Sequence, residues 1–143
     1  MISPNATALP TNEGHRRYRL LVAFLNRRDR FHQWALEIAQ QVEVPLITCE
    51  PVLAEAAYHI QSSSHVLPLL DSGMIQLRCD LSAALSRLRL LATRYADRNP
   101  DLADLCLICL SEDFPHHEIV TVDSDFLVYR RWEREIIPTC RPI

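Results

Sequence analysis

Pro45-Leu-Ile-Thr-Cys49, followed at once by Glu50-Pro-Val-Leu-Ala-Glu55-Ala-Ala-Tyr-His59-Ile-Gln61, is the stretch that decides the fold. The first five residues are apolar enough for a buried strand and too few for a helix. The next twelve suit a helix over 50–61, with Pro51 in its first turn, where a missing N–H costs nothing. A strand that passes directly into a helix is half of a βαβ unit, and the same alternation continues in both directions. Downstream, residues 65–72 read as a short helix stopped by Gly73, and Met74–Arg78 as a weakly alternating strand. Leu81, Leu85, Leu88, Leu91, Ala92 and Tyr95 then mark one apolar face of a helix over 81–96. Residues 101–112 read as a further helix, 118–122 as a short strand and 135–138 as a last edge strand. Upstream, Phe31, Trp34, Ala35, Ile38 and Val42 form a helical stripe over 29–42. Leu20–Leu25 is apolar and fits either a strand or a short buried helix. Short strands separated by longer helices predict an α/β protein with a mainly parallel sheet.

The chain has 143 residues, which is one domain of ordinary size with room for a core. Residues 1–19 carry little periodicity and read as a mobile or atypical tail before a domain over 20–143. Two glycines in the whole chain exclude a glycine-rich phosphate loop. No apolar run is long enough to span a bilayer and no secretory leader is legible, so the expectation is a cytoplasmic protein without a membrane partner. Net charge is -3, yet all fifteen cations are arginine, nine of them clustered at 16–30 and 130–134. Their simplest reading is coding bias and a solvated face. Five cysteines without ligand spacing fit a reducing compartment, and Cys106 and Cys109, inside an apolar run, read as buried structural thiols.

In open α/β sheets, function gathers at the carboxyl ends of the strands. Asp123 and Asp125 follow the predicted strand 118–122, where they suit either a divalent cation or an Asx-turn. Asp101 and Asp104 open the helix after Asn99-Pro100, where they suit helix capping, with Asp104 also able to face a metal. Glu55 lies mid-helix among alanines and needs a cation, a partner or a proton, because an unpaired buried charge is costly. Six histidines show no ligand spacing, and Ser62-Ser-Ser64 lacks the glycines of a nucleophile elbow.

Four blocks in order, Leu21–His32, Thr48-Cys-Glu-Pro-Val-Leu-Ala-Glu55-Ala, Asp101-Leu-Ala-Asp104 and Thr121-Val-Asp-Ser-Asp-Phe126, resemble the PIN domain family, most nearly the VapC-type toxin ribonucleases of bacterial toxin–antitoxin pairs. The likeness runs over about residues 20–140. It implies a three-layer α/β/α fold with a central parallel sheet and a ribonuclease that uses Mg2+ or Mn2+. By position it implies Glu55, Asp104 and Asp123 as catalytic and metal-binding acids, with Asp125 a further metal ligand and Asp101 a secondary candidate. Arg27, Arg28 and Arg130 become the expected RNA contacts. The implied partners are an RNA substrate and a cognate antitoxin, and a homodimer is compatible with the family. The chain departs from the family at the first acid, since Arg17-Tyr-Arg-Leu20 stands where Asp-Thr-Gly-Pro belongs. An arginine there repels a cation, so the expectation is a weakened nuclease, or an inactive relative that binds antitoxin or RNA.

Overall fold

The structure is a computed structural model that describes residues 2–3, 19–41, 45–121 and 125–142. Among the described residues the strands are β1 (Ile2–Ser3), β2 (Leu46–Thr48), β3 (Ile75–Leu77), β4 (Glu118–Val120), β5 (Arg130–Arg131), β6 (Glu135–Ile136) and β7 (Thr139–Cys140). The α-helices among them are α1 (Arg19–Leu25), α2 (His32–Gln41), α3 (Glu50–Ile60), α4 (Ser63–Asp71), α5 (Leu81–Arg94) and α6 (Leu102–Asp113). The chain is thus a mixed α/β protein among its described residues, as the alternation of short apolar runs and helical stripes requires.

Five strands form one sheet in the order β3-β2-β1-β4-β7. β2 pairs parallel with β3, and β4 parallel with β7. Between these two parallel pairs lies β1, antiparallel to both neighbours, with Ile2 opposite Ile47 and Ile119 and Ser3 opposite Glu118. The sheet is therefore mixed, and its centre is filled by two residues from the stretch 1–19. Without them β2 and β4 would each present an unpaired inner edge.

Leu20–Leu25 is helix and not strand, because α1 buries Leu20, Leu21, Val22 and Ala23 together, which a strand with alternating faces achieves only between two layers. The predicted edge strand at 135–138 is also different in detail. Glu135–Ile136 pairs with Arg130–Arg131 in a separate hairpin, and Thr139–Cys140, past Pro138, forms the edge of the main sheet. Proline lacks the N–H that a ladder needs, so pairing resumes only after it. The helix expected over 65–72 starts two residues earlier, and Gly73 leaves it with φ +75°, the left-handed turn that ends many helices.

At the centre of the packing is α6. Residues 103 to 111 are all buried, so this helix is covered around its whole circumference and not along one stripe. It packs on β1 and β4, on α3 and α5, and on β5. Cys106 and Cys109 lie within it, buried and without a disulfide. Among the described residues no helix is long and apolar enough to cross a membrane.

Candidate functional site

The direction of the strands places the acids. β2 and β4 are both antiparallel to β1, so they run parallel to each other and share one carboxyl end. Helix α6 precedes β4 and packs on it, so the α6 N-terminus lies at that end, and Asp125 follows β4 there.

At the α6 N-terminus the two aspartates divide their roles. Asp101 is the N-cap, with extended backbone (φ -84°, ψ 177°), and its Oδ1 accepts from the Asp104 N–H at 3.0 Å. That satisfies a donor which the helix itself leaves without a partner. Capping therefore accounts for Asp101. It does not account for the side chain of Asp104, which turns inward and is 3% exposed. The Tyr129 hydroxyl donates to Asp104 Oδ2 across 3.4 Å, a long contact.

Tyr129 itself is fully buried. Its ring packs edge-on against Tyr95 and Phe126, with centroids 5.0 Å and 5.4 Å apart. Its N–H donates to the Asp125 carbonyl at 3.1 Å, beside the Val128 N–H that closes the 3-10 turn Asp125–Leu127 on the same oxygen at 2.9 Å. Asp125 and Asp104 are thus tied to one aromatic residue, from two elements far apart in sequence. The Asp125 carboxylate, half-buried, faces Arg98 at 3.9 Å across a solvent-exposed gap. A pair so open and so long adds little to stability.

Glu55 sits in the middle of α3, half-buried, next to the fully buried Val52 and Ala56, on a helix that packs against α6. Asp123 lies outside the described residues, as does Arg17. Among the described residues no group of three His, Cys, Asp or Glu side chains converges closely enough to hold a metal ion. Glu55, Asp104 and Asp125 do not make such a site by themselves.

The predicted RNA contacts occupy different settings. Arg27 and Arg28 are exposed on the turn between α1 and α2, where Asn26 Oδ1 accepts from the Arg28 N–H and Asp29 Oδ1 from the Phe31 N–H. Arg130 is turned back on its own chain. One of its guanidinium nitrogens, Nη1, donates to the carbonyls of Leu127, Val128 and Tyr129 at 2.7–3.0 Å, and its backbone N–H donates to the Tyr95 hydroxyl. The structure uses Arg130 to close the segment that carries Asp125.

Sequence reasoning missed Tyr129, Tyr95 and Arg98. Tyr129 stands four residues after Asp125, one helical turn on, and that spacing is the signal that could have found it. Tyr95 was legible only as part of the apolar face of α5. Arg98 reaches Asp125 from a 3-10 turn at Ala96–Arg98 that no periodicity announces. No protein-family model matches the sequence, and no curated protein matches it significantly.

Proposed function

We propose that this chain is a PIN-like metal-dependent endoribonuclease, the toxin half of a toxin–antitoxin pair, with its activity weakened by the loss of the first acid. The observation that carries the proposal is the setting of Asp104. A carboxylate that capping does not explain is buried in the first turn of α6, at the same sheet end as Asp125 and against a shared tyrosine. The proposal assigns Glu55, Asp104, Asp123 and Asp125 to a Mg2+ or Mn2+ site, and Arg27 and Arg28 to the RNA backbone, whose phosphates suit the guanidinium fork. The three-layer PIN architecture, the antitoxin partner and the homodimer belong to the same proposal.

A second reading, an inactive PIN-like module that binds antitoxin or RNA, is favoured by the direction of β1. A parallel central strand would deliver its last residue to the acids. β1 runs the other way, so its C-terminal end points away from the carboxyl ends of β2 and β4.

The deciding experiment is RNA cleavage by the purified chain in Mn2+ and in EDTA, with Asp104→Asn and Asp123→Asn proteins alongside. Weak cleavage that needs Mn2+ and disappears in both variants supports the nuclease. Activity raised by Arg17→Asp would locate its weakness at the first acid. A folded chain that binds RNA without cutting it moves the conclusion to the second reading, and one that does neither overturns both.

A further inference from the structure

β2 and β3 are parallel neighbours that end together. Thr48 and Leu77 are their last matched residues, and the Arg78 N–H donates to the Thr48 carbonyl at 2.8 Å. Past that point the two chains part, one entering α3 at Glu50 and the other turning toward α5. Cys79 makes that turn with left-handed backbone, φ +75°, between Arg78 and Asp80. Where the chains diverge they leave a cleft of about 580 Å3, lined by Glu50 and Pro51 from α3 and by residues 77–82. That is the volume of an ordinary small-ligand pocket, and in open α/β sheets such pockets gather at the carboxyl ends of the strands. Asp104 and Asp125 lie at the same end of the sheet, since β3 runs parallel to β2 and β2 to β4.

The lining suits a flat polar ring. Pro51, Leu77 and Leu81 are half-buried and offer apolar walls. Glu50 and Arg78 stand exposed at the rim with opposite charge. Glu50 makes no hydrogen bond or ion pair among the described residues, so both of its carboxylate oxygens are open to a ligand. The Arg78 guanidinium lies over the Phe114 ring, 5.7 Å from its centroid, which steadies it without using its N–H groups. Asp80 has a different duty, because its Oδ1 accepts from the Ser82 and Ala83 N–H at 2.9 Å and 3.3 Å and so caps α5.

We propose that this cleft binds one unpaired guanine base of an RNA strand, with Glu50 and Arg78 as the residues that read it. Guanine is the base whose edges fit this pair. It presents two neighbouring donors, N1–H and N2–H, to a carboxylate, and two neighbouring acceptors, O6 and N7, to a guanidinium fork. Adenine and cytosine each carry one amino group with no second donor beside it, and uracil has a single N–H between two carbonyls. In a duplex the N1–H and N2–H of guanine are taken by cytosine, so the cleft receives a base from a single strand or one splayed out of a helix. An adjoining cleft of about 300 Å3 shares Arg78, Cys79 and Asp80 and gives the attached sugar a path out. This inference rests on the RNA reading above and goes beyond it by naming a base and the side chains that select it.

The test is fluorescence anisotropy with the full chain in EDTA, where no metal-dependent cleavage occurs. The probes are short labelled oligouridines that carry one central guanosine, inosine or adenosine. The guanosine strand should bind about tenfold more tightly than the adenosine strand, the effect of one bidentate pair. Inosine keeps O6, N7 and N1–H but lacks the N2 amino group, so its strand should fall between the two. Glu50→Gln and Arg78→Ala should each remove most of the preference while leaving Tm unchanged, since both side chains are exposed. Equal binding of the three strands overturns the inference, and so does a preference that survives either substitution. Guanosine monophosphate that binds where the strands do not would overturn the assignment to RNA. Cleavage plays no part in these readouts, so a chain that prefers guanosine and never cuts RNA keeps this inference and refutes the nuclease.

Discussion

Replacing Arg131 by methionine should destabilise the fold more than any other change on the β5–β6 hairpin. The Arg131 side chain is 6% exposed and makes four contacts. Its Nη1 donates to the Ser111 carbonyl at 3.1 Å and to the Pro115 carbonyl at 3.0 Å, and Nε and Nη2 grip Glu135 Oε1 at 3.0 Å and 2.6 Å. Ser111 is in the last turn of α6, where carbonyls have no partner within the helix, so the cation closes that helix and complements its dipole. A hydrogen bond to a charged group contributes about 1.5–3 kcal/mol, so the two carbonyls account for about 3–6 kcal/mol. The ion pair adds under about 1 kcal/mol, since the Glu135 side chain is 46% exposed. Methionine keeps much of the aliphatic volume, and the loss should therefore report the hydrogen bonds. At roughly 3–4 °C per kcal/mol for a chain of this size, Tm should fall by roughly 9–24 °C. Urea denaturation of Arg131→Met beside Glu135→Gln measures both terms. Equal losses in the two variants, or a loss below about 1 kcal/mol in Arg131→Met, would refute the claim that the carbonyls carry the stabilisation.

The caps should act as independent increments. Asp101→Ala and Asp80→Ala, which remove the N-caps of α6 and α5, should each cost about 1 kcal/mol in denaturant unfolding. The double variant should cost their sum, and a cap that proves neutral is not holding its helix. A further expectation concerns pH. Burial, with a smaller contribution from His116, holds His117 below the ordinary histidine value of 6.5, and its buried Nδ1 has no partner among the described residues. The unfolded chain then binds this proton more readily than the folded one. The stability from a neutral His117 is complete above pH 6.5 and is lost as pH falls through the folded value, with a slope of at most about 1.4 kcal/mol per pH unit. His117→Phe, which keeps a ring against Phe114, should flatten the stability profile between pH 7 and 5. An unchanged slope would place the acid sensitivity elsewhere.

Much of this chain was readable before folding was considered. Local pattern alone marks Leu46–Thr48 and the helix behind it, the amphipathic face of α5, and the start of α6 at Asp101. Each of these depends on residues within one or two turns of one another, which is the range over which periodicity and capping act. Leu20–Leu25 stayed ambiguous because six apolar residues satisfy a short helix and a buried strand equally, and only the neighbours that α1 packs against decide between them. Capping chemistry puts Asp101 and Asp104 three residues apart at a helix start. Burial then separates them, leaving one as a cap and the other inside against Tyr129.

What the linear order determined is the kind of elements, their succession, and the acids that stand at their ends. Tertiary structure alone decided how those elements meet. It set Ile2–Ser3 antiparallel in the middle of the sheet, joined Asp104 to Asp125 through Tyr129, and turned Arg130 onto its own carbonyls. The physical reason is range. Propensity, capping and periodicity are properties of neighbouring residues, whereas strand register and the burial of α6 are set by the packing of the whole chain, which no local window contains.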